Sequence, residues 1–92
     1  MEHTNKILII TTQGCEGCSI AKENVNNAKK QSNKKIDVQI EDWHTLDRRF
    51  IAEKKIKDFP TVLYILDGAV VYKCSGTYPT PVYLRWIDMY FK

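Results

Sequence analysis

Three cysteines stand in this sequence, two of them separated by two residues in Thr11-Thr12-Gln13-Gly14-Cys15-Glu16-Gly17-Cys18. Sulfurs at that spacing have two chemistries open to them: a reversible dithiol–disulfide pair, or half of a four-ligand zinc site. Zinc needs further donors, and His3, His44 and Cys74 stand at no recognisable ligand spacing, so no metal ligand is assigned. The pair follows the apolar run Ile7-Leu8-Ile9-Ile10 and opens a stretch of helical periodicity. At the first turn of a helix both sulfurs come within bonding reach. One of them also meets the unpaired N–H groups and the positive dipole end, which stabilise a thiolate. Cys18, Ala21, Val25 and Ala28 recur at the spacing of one helical face, so Cys18 is expected to point inward and Cys15 outward. Cys15 is therefore assigned as the nucleophile and Cys18 as the resolving thiol. Glu16 complements the helix dipole by about 0.3–1 kcal/mol, yet its charge lies beside the thiolate and disfavours ionisation there. Cys74 lies in an alternating strand and reads as a small packing hydrophobe, with a regulatory third thiol as the alternative.

The elements that must hold these residues follow in order. Lys6 to Thr12 reads as a strand of continuous apolar character, as a strand buried on both faces requires, and is expected to be central. Glu16 to Gln31 reads as the first helix. Lys35 to Asp42 alternates, with Ile36, Val38 and Ile40 on one face of a half-buried strand, which completes a right-handed βαβ unit with parallel strands. Leu46 to Lys57 holds a short second helix with Thr45 as N-cap. Thr61–Leu66 and Ala69–Cys74 flank Asp67-Gly68, a strong hairpin signal. Pro79-Thr80-Pro81 starts the last helix, with Thr80 as N-cap, Pro81 at the first helical position, and Leu84, Ile87 and Phe91 along its apolar side. Trp86 and Tyr90 widen that side.

Ninety-two residues make one small domain, 1–92, and 43% hydrophobic with 27% charged residues is ordinary globular composition, neither disordered nor membrane-like. The net charge of +3 comes largely from lysines at 22, 29, 30, 34 and 35. No aromatic residues are interleaved with them, so they read as a solvated face and no nucleic-acid partner is expected. Four apolar residues after Lys6 are too few for a secretory segment or a membrane span, so a cytoplasmic protein with no membrane partner is expected. In a reducing compartment a close cysteine pair is usually catalytic or metal-binding.

The order strand, helix, strand, helix, hairpin, helix, with Cys15-Glu16-Gly17-Cys18 after the first strand, Phe59-Pro60-Thr61 at the head of the hairpin and Gly76 after its end, resembles the thioredoxin-like superfamily. The resemblance implies a minimal thioredoxin fold of the α/β class, β-α-β-α-β-β-α, with a four-stranded mixed sheet and three helices. It implies that Pro60 follows a cis peptide bond and sits against the cysteine pair, and that the backbone at Phe59 pairs with the substrate strand. The substrate surface it implies comprises Gly14, Phe59, Pro60, Thr61, Gly76 and Thr77, with Glu16 and Gly17 as tuning residues.

Some positions depart from the family pattern. Gly14 stands where thioredoxins usually carry Trp, Glu16-Gly17 stands for Gly-Pro, and the first strand has no counterpart of a buried Asp. Thioredoxins proper also carry an additional N-terminal strand and helix, for which this chain has no length. The glutaredoxin Cys-Pro-Tyr-Cys and the segment that holds glutathione are both missing. Trp43 is open to core packing or to lining the substrate surface, and Tyr78 and Phe59 are candidates for an apolar rim. The function implied is a thiol–disulfide oxidoreductase reducing protein disulfides with no cofactor. Its partners would be disulfide-bearing proteins and a reductase or other thiol electron donor, and it would act as a monomer. The alternatives are a redox-slow binding module on the same platform and, third, a thiolate pair that carries metal.

Overall fold

The computed structural model describes residues 2–92. Its elements are β1 (Asn5–Thr11), α1 (Glu16–Gln31), β2 (Ile36–Asp42), α2 (Arg48–Glu53), β3 (Thr61–Leu66), β4 (Ala69–Ser75) and α3 (Thr80–Tyr90), with a single 3-10 turn at Trp43–Thr45. The expected β-α-β-α-β-β-α order is therefore present. The strands form one mixed sheet in the order β2-β1-β3-β4, with β1 parallel to β2 and antiparallel to β3, and β3 antiparallel to β4.

Side chains alternate across a strand, so the unbroken apolar run in β1 supplies two cores at once. Ile7 and Ile9 enter the cluster with Val25 and Ala28 of α1 and Tyr83, Ile87 and Phe91 on the α3 side. Leu8 and Ile10 enter the opposite cluster with Leu63 and Ile56, against which Leu46, Phe50 and Ile51 of the α2 region pack. The molecule is thus layered, α1 and α3 on one face and α2 on the other. The inward row Cys18, Ala21, Val25, Ala28 is buried as its spacing predicts. In β2 the alternation weakens toward the end: Ile36 is buried and Val38 packs on the α1/α3 cluster, whereas Ile40 is 42% exposed. β2 is an edge strand, and that apolar cluster does not reach its last residues.

The Asp67-Gly68 turn has positive φ at both residues, +52° and +86°, the primed geometry that suits hairpin twist. The Asp67 carboxylate also accepts from the Thr4 N–H and pairs with the His3 ring, each at 2.8 Å, so the segment before β1 is tied to the hairpin. Those two hydrogen bonds, the His3 contact foremost, hold the Asp67 carboxyl below its usual value.

Two helix starts differ from expectation. α2 is capped by Asp47, whose carboxylate accepts from the Arg49 N–H at 2.7 Å, and Thr45 instead closes the 3-10 turn with its hydroxyl donating to the Asp42 carbonyl. Leu46, at φ −96° and ψ 153°, separates the two turns, and a carboxylate caps at least as well as a threonine hydroxyl. α3 begins one residue earlier than expected: Pro79 occupies the cap position in extended conformation, and its carbonyl accepts from the Val82 and Tyr83 N–H groups. The buried row of α3 accordingly runs through Tyr83, Ile87 and Phe91, with Leu84 only half-buried.

Candidate functional site

The sheet register brings three distant segments to one end of the molecule. Ile10 at the end of β1 pairs with Thr61 at the start of β3, and Thr61 pairs with Ser75 at the end of β4. The loop after β1, the turn before β3 and the loop after β4 must therefore meet. The first carries Gly14 and Cys15, the second Phe59 and Pro60, and the third Gly76 and Thr77.

Gly14 adopts φ +75°, a left-handed conformation open to glycine, and turns the chain from β1 into α1. Cys15 then sits at the N-cap with extended φ and ψ and no side-chain cap hydrogen bond. Cys18, one turn on, is buried at 5% exposure. The two sulfurs are joined in a disulfide, with S–S 2.14 Å and Cα atoms 5.4 Å apart. An N-cap side chain faces the unpaired N–H groups of the first helical turn. On reduction, a thiolate at Cys15 therefore gains hydrogen-bond donors and the positive end of the α1 dipole, while Cys18 lies under the surface. Glu16 follows in the first turn and is exposed.

The Phe59–Pro60 peptide bond is cis. Pro60 is buried, and its carbonyl accepts from the Gly76 N–H at 2.9 Å, which joins the β3 turn to the loop after β4. Gly17 shows how tightly α1 presses on both. A Cβ built at Gly17 would stand 2.6 Å from Thr77 Oγ1 and 3.5 Å from Pro60 Cδ. The Thr77 hydroxyl also donates to the Gly17 carbonyl at 3.2 Å. Gly17 is therefore the spacer that lets the cysteine helix reach the proline. Gly14, Cys15, Gly17, Gly76 and Thr77 are at least partly exposed at this end of the molecule, with Pro60 buried beneath them. Thr61 is fully buried, with its hydroxyl donating to the Asp58 carbonyl, so its side chain braces the turn from beneath.

Phe59 and Trp43 extend this surface toward α2. Their ring centres lie 6.5 Å apart, and both pack on the α2-side core. Trp43 is half-buried and its indole N–H donates to Thr12 Oγ1 at 3.0 Å, so it combines core packing with a place beside the loop that leads to Cys15. His44 stacks on Trp43 with centres 3.8 Å apart, and its ring and backbone N–H both reach Asp42. The backbone hydrogen bond from His44, and after it the ring contact, hold the Asp42 carboxyl below its usual value. Tyr78 is half-buried: its ring packs edge-on against Tyr83 and Trp86, and its hydroxyl donates to the Ser75 carbonyl.

Cys74 is 5% exposed among Tyr64, Tyr83 and Val62, with its thiol directed at the Val62 carbonyl. Burial pushes that thiol up to about 12, which favours its neutral form. Among the described residues no group of three or more His, Cys, Asp or Glu side chains could hold a metal ion, and no helix is long and apolar enough to cross a membrane. The Thr12–Trp43 and Gly17–Thr77 contacts have no local signature in the sequence. Only Gly17, a glycine inside a helical turn, hinted at a close approach.

No family model and no curated protein matches the sequence. Solved structures do match in fold. Thioredoxin-2 of the malaria parasite, described as a component of its protein secretion machinery, superposes with a TM-score of 0.79 at 14% identity, covering 98% of this chain and 86% of that one. A thioredoxin variant from Halobacterium salinarum NRC-1 gives 0.78 at 16% identity, covering 96% and 75%. Chloroplastic thioredoxin z gives 0.73 at 13% identity, covering 94% and 77%. The chain has a thioredoxin-like fold.

Proposed function

We propose, from a thioredoxin-like fold whose first helix starts on a bonded cysteine pair, that this protein is a thiol–disulfide oxidoreductase that reduces disulfides in other proteins. The observation that carries the proposal is the Cys15–Cys18 disulfide at the start of α1, pressed through Gly17 against Pro60.

In the reduced form the Cys15 thiolate attacks one sulfur of a substrate disulfide. A Cys15–substrate mixed disulfide forms and the other substrate sulfur leaves as a thiolate, which takes up a proton. Cys18 then loses its proton and attacks Cys15 Sγ. The Cys15–Cys18 disulfide forms and the second substrate sulfur departs. Two electrons and two protons pass from the dithiol to the substrate, and an external thiol donor restores the dithiol. Among the described residues no Asp or Glu is buried, so the Cys18 proton leaves through solvent or the departing thiolate rather than to a buried carboxylate. That absence favours a second reading, a slow redox module that mainly binds its partner.

Insulin reduction with dithiothreitol as donor separates the two. Turbidity developing faster than with dithiothreitol alone supports the oxidoreductase. A rate equal to the uncatalysed one, with Cys15 still able to form mixed disulfides, favours the binding module.

A further inference from the structure

A groove of about 270 Å³ opens on the α2 side of the site, lined by Trp43, His44, Leu46, Arg48 and Ile51. Trp43 ties it to the end of the molecule that holds the dithiol by two contacts. Trp43 is hydrogen-bonded to Thr12 in the loop that leads to Cys15, and it packs beside Phe59, which precedes Pro60. The walls at Trp43, Leu46 and Ile51 are apolar, and Arg48 carries the one permanent charge among the five lining residues.

The two carboxylates nearest the groove in sequence, Asp42 and Asp47, are already engaged. Asp42 is taken up by His44, and the Asp47 carboxylate caps α2 through the Arg49 N–H. Arg48 is exposed, and none of the ion pairs among the described residues includes it. Glu16 stands in the first turn of α1, next to Cys15 in the chain. The groove itself presents a guanidinium, that of Arg48, that no ion pair among the described residues takes up. A guanidinium fork suits a carboxylate.

We propose that this groove is a specificity site for the polypeptide that carries the target disulfide. It takes a large apolar side chain, with the carboxylate of an adjacent acidic residue on Arg48. The proposal rests on the oxidoreductase reading above and names its substrate class: disulfides flanked on one side by an apolar–acidic pair.

The probe is a set of synthetic peptides, each with one cysteine activated as its mixed disulfide with 5-thio-2-nitrobenzoate and differing only at the flanking pair: Phe-Asp, Phe-Lys or Ala-Asp, on either side and at increasing separation. Attack by Cys15 releases the coloured thiolate. The reduced protein should react about fivefold faster with the best Phe-Asp peptide than with its Phe-Lys counterpart, the ratio expected of one exposed charge pair, and the preference should shrink with added salt. The Ala-Asp peptide should lose most of the gain. Arg48→Glu should invert the Asp-to-Lys ratio and Arg48→Lys should keep its sign. Lys30→Glu, an equal change in net charge far along α1, should leave the ratio where it was. Equal rates for all peptides, or a ratio that shifts as much in Lys30→Glu as in Arg48→Glu, would overturn the groove proposal while the oxidoreductase reading stands. No reaction even with the small symmetric disulfide of the same reagent would sink the oxidoreductase reading itself.

Discussion

The division of labour between the two cysteines comes from their positions on one helical turn. Cys15 at the N-cap is partly exposed and Cys18 is buried, so only the first can reach an outside sulfur. Cys15→Ser should therefore form no adducts, whereas Cys18→Ser should attack and stall as a mixed disulfide, and Cys74→Ser should accumulate neither. Non-reducing gels of acid-quenched cells expressing each variant check this, and adducts on Cys15→Ser alone would reverse the assignment. Glu16 acts on the same sulfur from the neighbouring position. Replacing it with Gln removes a like charge and should lower the Cys15 pKa by less than about one unit, since Glu16 is exposed. It should also make the disulfide easier to reduce. Thiolate absorbance across a pH titration of both proteins measures the shift, and a raised pKa in the variant contradicts the argument. With Glu16 in place, the reduction potential is expected near the thioredoxin value of about −270 mV rather than the strongly oxidising value of about −120 mV. Equilibration with a glutathione buffer gives that number.

At the scale of elements, the site depends on how closely α1 approaches the loop after β4. A methyl group at Gly17 would meet Thr77 Oγ1, so Gly17→Ala must displace the hydroxyl and break its hydrogen bond to the Gly17 carbonyl. That loss costs about 1 kcal/mol and outweighs any helix-propensity gain so near the helix end. In a Thr77→Ala background the same change should be markedly less damaging, with a coupling of about 0.5 kcal/mol or more. Urea unfolding of the four proteins in the cycle tests it, and strict additivity would mean that the two residues do not press on each other. α2 offers a second test. Asp47→Ala removes the cap and should destabilise by about 1 kcal/mol. Thr45→Ala should cost less, because Thr45 closes only the preceding turn.

For the molecule as a whole, the α1/α3 core holds groups that must stay neutral. Burial pushes the Cys74 thiol from 9.0 up to about 12 and the Tyr83 hydroxyl from 10.0 up to about 12, and it raises Tyr64 as well. Folding thus favours the protonated forms. Their contribution is fully present below about pH 9, the unfolded thiol value, and is lost as pH rises toward 12. Unfolding midpoints of the oxidised protein should hold level to about pH 9 and then fall. The fall should be shallower in Cys74→Ala, where one of the titrating groups is gone. A Cys74→Ala profile as steep as the parent's would assign the alkaline loss to the tyrosines.

What the sequence determined by itself was set by short-range rules. The Ile7–Ile10 run made β1 central because a strand with cores on both faces needs no polar alternation. Asp67-Gly68 made the hairpin because its turn requires positive φ at both positions. The row Cys18, Ala21, Val25, Ala28 already said which sulfur is buried. The pairing of Cys-x-x-Cys with a proline before the hairpin was legible as a pattern, through resemblance. What only the tertiary structure decided were matters between segments. The caps the chain uses, Asp47 rather than Thr45 and Pro79 rather than Thr80, were not ranked by the local sequence alone. Gly17 against Thr77, Trp43 against Thr12 and the groove at Arg48 join residues far apart in the chain. Their proximity follows from strand register, with Ile10 opposite Thr61 and Thr61 opposite Ser75, and register exists only once the sheet is assembled.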